Sequence, residues 1–538
     1  MEDSVKDATK SSSVLQQQQK IIVSWDEMIE KGLGNFGWTQ FLQCILVSVA
    51  MFFDSQQLFI AIYTDDYPTW HCTNHTTTCT SNSGICKLPK TSWAWDGPSS
   101  KTIISQFGLE CATSFITGLP QSSFFLGCLL GSFLLATLAD TSLGRKNMII
   151  LSCLSMSVIS LIIIFSTNVW IYSALKFLIG FCRSSISTCC LVLLMEKVST
   201  EWRFTVGIIE FVFFTSGYMS LPGVAYANRN SPWKYLYVWI SLPALSYSLI
   251  AYLFVTESPR WLLMQGRVKE AMEMLKGVHD NAAPEENGVS TTDTYNYLKR
   301  VDVSTLNTES CEEKSDLERS EEKKKKRVSF SKPYSSVAVL LRTSWGPKRM
   351  VGVMGLGLGI GMVYFGMPLA VGNLNYNIYL AVVLNALMEI PSCVVTYFLG
   401  KCGRKLSIFV FSVGSGICCI VCVVIRSEGV KVWVAVASFF CACTAFNVFL
   451  IYMVELFPTC VRNTTASLAR QAVVFGCVFS PFLIAAGRKN NLFSYGVFGV
   501  LIISSTLTLL SLPETRGMPL SDTMDQQEMK EGNFPLSC

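Results

Sequence analysis

Gly144-Arg145-Lys146 recurs as Gly403-Arg404-Lys405, 259 residues further along the chain. Glu196, with Arg203 seven residues after it, recurs at the same offset as Glu455 with Arg462. Glu257-Ser258-Pro259-Arg260 recurs more loosely, 257 residues on, as Glu514-Thr515-Arg516. Each of these charged marks stands at the edge of a long apolar run. Apolar runs punctuated twice in the same way are the pattern of a membrane protein built from two similar halves, and such halves are a signature of secondary transporters.

The composition agrees. Half of the residues are hydrophobic and 15% are charged, whereas a soluble domain carries nearer a quarter of charged residues. About 20 apolar residues span a bilayer as a helix. On that measure about twelve segments qualify: 38–63, 113–138, 147–166, 168–195, 204–226, 235–256, 349–370, 377–399, 406–425, 431–455, 464–486 and 493–512. The expected fold is an all-α membrane protein of two pseudo-symmetric six-helix halves. Residues 1–37 form an N-terminal tail, 38–262 the first half, 263–345 a central loop, 346–512 the second half and 513–538 a C-terminal tail. The first forty residues are polar and mixed in charge, so no cleavable signal peptide is expected.

Lys and Arg gather at 145–146, 197–203, 260–267, 323–327, 401–405 and 462, in alternate loops. The positive-inside rule makes those loops and both termini cytosolic. The loop 64–112 then faces outside. Its Cys72, Cys79, Cys86 and Cys111 predict two disulfides, with the pairing open, and Asn74-His75-Thr76 is an acceptor site for N-glycosylation. The central loop is rich in Glu, Lys, Ser and Thr, with an amphipathic helical stretch from Val268 to Gly277. Its basic run Lys323–Arg327 is a topogenic charge cluster or a contact for anionic lipid, and Ser329 beside it is a candidate phosphorylation site.

Other chemistries lack their residues. Gly32-Leu33-Gly34-Asn35-Phe36-Gly37 matches a dinucleotide pattern, but an apolar span follows it and no strand precedes it. There is no phosphate-binding P-loop sequence, and the three His residues (His71, His75, His279) all fall in loops. Neither an enzyme, a metal site, a cofactor nor a nucleic-acid partner is expected.

The cytosolic marks resemble the major facilitator superfamily. Asp140 with Gly144-Arg145-Lys146 looks like its loop between the second and third spans, with one extra residue after the Asp. Lys176-Phe177-Leu178-Ile179-Gly180 sits where that superfamily often has Arg-x-x-x-Gly. Asp140, Arg145, Glu196, Arg203, Arg404, Glu455 and Arg462 would then form a cytosolic gate, holding helix ends in one state and releasing them in the other. Within the superfamily, Glu257–Leu262, Pro513–Gly517, Phe107–Cys111, Gly34–Gln40, Glu389-Ile390-Pro391 and Glu455–Thr459 are similar to the organic-ion branch. Phe52-Phe53-Asp54-Ser55-Gln56-Gln57 looks like the plant organic cation/carnitine transporters.

Five ionisable groups fall inside apolar spans: Asp54, Arg183, Glu210, Glu389 and Arg470. Such groups are expensive in a bilayer and are functional candidates. The resemblance implies substrate roles for Arg183, Glu389 and the aromatic Tyr364. Relatives carry a substrate-sorting charge where this chain has Val474; Arg470, one helical turn earlier, is expected to replace it and to pair with a carboxylate. Asp54 or Glu210 is the expected proton or ion acceptor, and the plain alternative for each is a pair that holds helices together. The function implied is transport of an organic cation, or a zwitterion such as carnitine, by alternating access. H⁺ or Na⁺ is the expected coupling ion, a monomer is expected to suffice, and the plasma membrane is favoured over the vacuolar membrane. A sugar or neutral-polyol porter and a receptor-like scaffold are the alternatives.

Overall fold

A computed structural model describes residues 29–30, 33, 36–73, 79, 85–141, 143–280, 340–374, 376–400, 402–488, 494–516 and 527. Among these, eleven helices are long and apolar enough to cross a membrane: Trp38–Thr64, Ser114–Leu135, Arg145–Phe165, Val169–Glu196, Thr200–Ala227, Trp233–Phe254, Gly346–Asn373, Ile378–Leu399, Arg404–Val424, Glu428–Glu455 and Thr464–Gly487. A twelfth apolar helix, Tyr495–Ser511, is shorter and closes in a 3₁₀ turn from Leu507. They are called the first to twelfth spans below. Large side chains such as Leu249, Leu253, Val410, Val500 and Leu510 stand exposed along their outer faces, which suits contact with lipid rather than water.

The repeated charged marks have one structural cause. Glu257, after the sixth span, accepts hydrogen bonds from the backbone N–H groups of Arg145 and Lys146 at 3.1 Å. Glu514, after the twelfth, accepts from those of Arg404 at 2.9 Å and Lys405 at 3.1 Å. Each carboxylate caps the unsatisfied first turn of the third span of its half, at the positive end of the helix dipole. Gly144 and Gly403 let it come close, since a Cβ there would lie 2.3 Å and 2.8 Å from Glu257 Oε2 and Glu514 Oε2. The same Arg residues reach a second acid, Arg145 to Glu196 at 3.6 Å and Arg404 to Glu455 at 3.2 Å.

Packing between spans also repeats. Membrane helices associate through small residues that let backbones approach. A Cβ on Gly217 of the fifth span would lie 2.1 Å from the Phe52 carbonyl oxygen of the first, and one on Gly476 of the eleventh 2.3 Å from the Leu358 carbonyl oxygen of the seventh. These two glycines again stand 259 residues apart. We expect Gly217→Val to destabilise the protein by more than about 3 kcal/mol, because the opposing atom is backbone and cannot swing away. Thermal melting in detergent checks this, with Gly207→Val, where a Cβ meets nothing within 4 Å, as the tolerated control.

The fourth span is two helices, Val169–Arg183 and Ile186–Glu196, where a single helix was expected. At the junction Ser184 Oγ donates to the Phe181 carbonyl at 2.8 Å, and serine bonding of this kind competes with the helix ladder. Outside, strands β1 (Trp70–Cys72) and β2 (Trp93–Trp95) pair antiparallel, with His71 opposite Ala94. Cys72 is bonded to Cys79 and Cys86 to Cys111. On the cytosolic side, Met272 and Leu275 of the helix Val268–Asp280 pack on Ile29 and Leu33, which precede the first span. Asn74, Ser329 and the run 323–327 lie outside the described residues, as does the side chain of Asp140.

The two halves are pressed together at their outer ends. Phe115 stacks on Phe482 with ring centroids 5.2 Å apart, and Tyr379 lies 5.6 Å from Tyr63 and 5.4 Å from Tyr226. Arg488 Nη2 donates to the Asp65 carbonyl at 2.9 Å. The described ion pairs of the cytosolic marks, by contrast, each stay within one half. The halves thus meet at this end, and they also touch toward the other, where Gln471 Nε2 donates to Ser132 Oγ at 2.6 Å and the Phe204 and Tyr397 rings lie 6.1 Å apart.

Candidate functional site

Glu389 lies near the middle of the eighth span and is almost wholly buried, at 1% exposure. Thr215 Oγ1, from the fifth span of the other half, donates to Glu389 Oε2 at 3.0 Å. Tyr364 OH, from the seventh span, donates to Oε1 at 3.2 Å. The carboxylate thus sits on the seam and is held from both sides. Among the described residues, no Lys, Arg or His nitrogen lies within 4.0 Å of it. Tyr364 belongs to an aromatic stack: Phe446 lies 4.3 Å away and nearly parallel, Phe439 at 6.0 Å, and Phe365 edge-on at 4.8 Å. An acid without a basic partner, set beside stacked rings, is the chemistry that receives an ammonium group.

The other intramembrane charges are divided, not pooled in one cavity. Arg183 grips Asp54 in bidentate fashion, Nε donating to Oδ1 at 2.7 Å and Nη2 to Oδ2. Its guanidinium carbon lies 5.5 Å from the Phe124 ring centroid, and Nη1 reaches Cys128 Sγ at 3.6 Å. Paired planar geometry of this kind is strong and specific. The break after Arg183 ends its helix there. Glu210, on the fifth span, and Arg470, on the eleventh, act on each other electrostatically across the seam without an ion pair inside 4.0 Å. Val474, where the resemblance led us to expect a sorting charge, packs against an apolar cluster that joins the first half to Val371 and Cys477 of the second.

Of the expected gate residues, Arg145 meets Glu196 and Arg404 meets Glu455. Arg462 Nε donates to the Phe457 carbonyl at 3.4 Å within its own half. Arg203 sits at the start of the helix Arg203–Ala227, and its buried Nε has no hydrogen-bond partner among the described residues.

Two groups escaped the reading of the residues alone. Lys176, 1% exposed, stands over the rings of Phe124, Tyr172 and Tyr237 at 5.8, 5.7 and 5.5 Å. The Arg-x-x-x-Gly likeness pointed at Lys176, but its cage comes from three different helices and leaves no mark in local sequence. Asp65, Asp66 and Arg488 meet at the outer ends of the first and eleventh spans; charges at span ends are common, so only the fold singles these out.

Twelve apolar helices in two halves, with buried acids and bases along the seam between them, define a secondary transporter that works by alternating access. A model of the family "Sugar (and other) transporter" matches residues 60–526. The chain is 46% identical to Organic cation/carnitine transporter 3 of Arabidopsis thaliana, over 94% of each chain. It is 30% identical to Organic cation/carnitine transporter 2 of Homo sapiens, over 80% of this chain and 72% of that one. Among solved structures it resembles the xylose transporter XylE from E. coli in its inward open conformation, with a TM-score of 0.60, 15% identity, and coverage of 91% of this chain and 98% of that one. The chain belongs to the organic cation/carnitine transporters, in their plant branch, within the major facilitator fold.

Proposed function

We propose that this transporter carries an organic cation or a zwitterion such as carnitine, coupled to protons, across the plasma membrane. The observation that carries the reading is Glu389, a buried seam carboxylate hydrogen-bonded only by Thr215 and Tyr364 among the described residues and flanked by a ring stack. An ammonium group can neutralise it where no protein base does. A relative such as Organic cation/carnitine transporter 3 of Arabidopsis thaliana, by its name, handles substrates of that chemistry. A single chain carries both halves and the whole site, so a monomer suffices. An anionic lipid surface remains the proposed partner of the basic run 323–327, glycosylation the proposed fate of Asn74, and phosphorylation that of Ser329.

Thr215 and Glu389 belong to opposite halves, so their bond must be remade whenever the halves rock. A ligand cation that replaces the Thr215 contact would link occupancy to movement. Arg470 opposes Glu210 across the seam without a closed pair, which leaves its guanidinium able to take the carboxylate of a zwitterion. Replacing Arg470 by Ala is expected to reduce carnitine uptake about tenfold more than tetraethylammonium uptake. Equal losses of the two would remove Arg470 from substrate selection.

Proton coupling fits the Asp54–Arg183 pair. A proton on Asp54 would cancel its attraction for Arg183 and free a buried cation, the type of charge change that drives a two-state element. Coupling matters for a zwitterion, since the membrane potential gives it no net drive, whereas a univalent cation gains ~2.3 kcal/mol per 100 mV.

A further inference from the structure

The outer seam holds a cavity bounded by both halves, with Asp65, Asp66 and Gln121 on one side and Arg488 on the other. Among the described residues, three polar atoms in it are buried and find no partner: Asp65 Oδ2, Gln121 Oε1 and Arg488 Nη1. Asp65 and Gln121 are 8% and 4% exposed. Buried polar groups are normally satisfied, so two orphaned acceptors and one orphaned donor around one cavity call for a polar occupant. Water can bridge them in the closed form.

The position of Arg488 says what larger group the first half accepts there. Its Nη2 donates to the Asp65 carbonyl at 2.9 Å, and its guanidinium lies 5.8 Å from the Tyr67 ring centroid. The charges acting on it are those of Asp65 and Asp66. Asp65 Oδ1 already accepts from Thr64 Oγ1 and Tyr172 OH, both at 2.8 Å, so its free Oδ2, the Asp66 carboxylate, the Asp65 carbonyl and the Tyr67 ring make the box for a cation; in the closed molecule Arg488 stands in it without an ion pair inside 4.0 Å. All of its walls come from residues 65–67, while Arg488 belongs to the second half. Parting of the outer ends must therefore empty the box toward the outside.

We propose that Asp65, Asp66 and Tyr67 form an outer recruitment site for the ammonium group of an incoming organic cation, which Arg488 refills as the halves close. The latch stands on geometry alone; the choice of an organic ammonium ligand rests on the reading of the preceding subsection. The exchange has a simple logic. Arg488 competes with the ligand for one site, so a cation arriving from outside holds the gate open until it moves inward. The return of Arg488 then bars escape.

The latch also responds to protons, with a definite sign. Burial of Asp66 against the second half raises its carboxyl to about 6, above the 3.8 of a free group, while Arg488 and Lys101 pull the other way. Tyr63 and Tyr379 are the other titratable groups that feel it. The closed form therefore binds a proton at Asp66 more tightly than an open, hydrated form. Falling external pH favours closure, and the effect is lost above about pH 6.

The test uses the full-length transporter with Thr117, which lines the cavity, replaced by Cys and labelled from outside with a membrane-impermeant thiol reagent. Arg488→Ala should speed labelling several-fold without any ligand, and Arg488→Lys should restore slow labelling. An unchanged rate in Arg488→Ala overturns the latch. Tetramethylammonium should protect the cysteine, and Asp65→Asn with Asp66→Asn should raise the protecting concentration about tenfold, whereas Glu389→Gln should not. Protection lost in Glu389→Gln but kept in the Asp variants would overturn the outer site in favour of a central one alone. Asp66→Glu, which keeps the charge, should still be protected, and surface abundance of every variant is read alongside. Faster labelling in Arg488→Ala together with no protection, in cells that do take up tetraethylammonium, overturns recruitment at this site; absence of any ammonium or carnitine flux would instead count against the substrate reading.

Discussion

Glu389→Gln is expected to lower the uptake efficiency for quaternary ammonium substrates at least about thirtyfold, the effect of losing ~2 kcal/mol from a buried charge contact. Gln has the shape of Glu: its amide oxygen can accept from one of the two hydroxyls and its NH2 can donate to the oxygen of the other, where the carboxylate accepts from Thr215 at 3.0 Å and Tyr364 at 3.2 Å. What disappears is the charge. Because no protein base neutralises Glu389 within 4.0 Å among the described residues, the variant relieves a buried carboxylate and should fold at least as well as the parent chain. Loss of transport with retained or raised thermal stability separates a substrate contact from a structural one. Tyr364→Phe should cost less, since the stack on Phe446 survives and only the hydroxyl is removed. Initial-rate uptake, corrected for protein at the surface, measures both. Unaltered uptake by Glu389→Gln would remove this residue from the site.

Asp54→Asn is expected to act in the opposite sense on stability. Breaking a buried ion pair from one side leaves the other charge uncompensated and costs about 3–5 kcal/mol. Arg183 would keep a neutral amide oxygen, the Phe124 face and the Cys128 sulfur but no opposing charge, so the melting temperature should fall sharply. The double variant Asp54→Asn with Arg183→Gln removes both charges and should recover most of that loss. If Asp54 carries the proton, neither variant takes up substrate against its gradient when driven by a pH difference, while the double variant still exchanges substrate across the membrane. Full gradient-driven uptake in the double variant would make the pair a structural link between the first and fourth spans.

The halves, the spans and the cytosolic punctuation were all legible in the residues, for a physical reason. A bilayer forces a long apolar run into a helix, and the helix-capping Glu257 and Glu514 need Gly-Arg-Lys opposite them, so the repeat shows as a spacing of characters. The two pairings of the outer cysteines were not legible, since four cysteines allow three connectivities and only the fold of the loop brings Cys86 to Cys111. The same limit holds at the seam. Asp54, Arg183, Glu210, Glu389 and Arg470 stand out as charges in apolar surroundings. Which acid meets which base depends on how the spans turn about their axes, and packing against neighbours sets that. The seam gives Asp54 to Arg183, sets Glu210 opposite Arg470, and leaves Glu389 to two hydroxyls. The break after Arg183 is equally silent in composition, because serines occur throughout these spans. Arg488 carries no local mark at all: it matters only because the outer ends of two halves, far apart in sequence, come together.

Uptake of labelled carnitine and labelled tetraethylammonium into cells expressing the full chain, with and without an inward pH gradient, distinguishes a proton-coupled zwitterion carrier from a cation uniporter and from a sugar porter. Carnitine uptake should grow with the inward proton gradient and be competed by quaternary ammonium compounds but not by sugars. Uptake of tetraethylammonium alone, following membrane potential and indifferent to the gradient, would contradict the proton-coupled zwitterion reading, and flux competed only by sugars would contradict the assignment of Glu389 as an ammonium site.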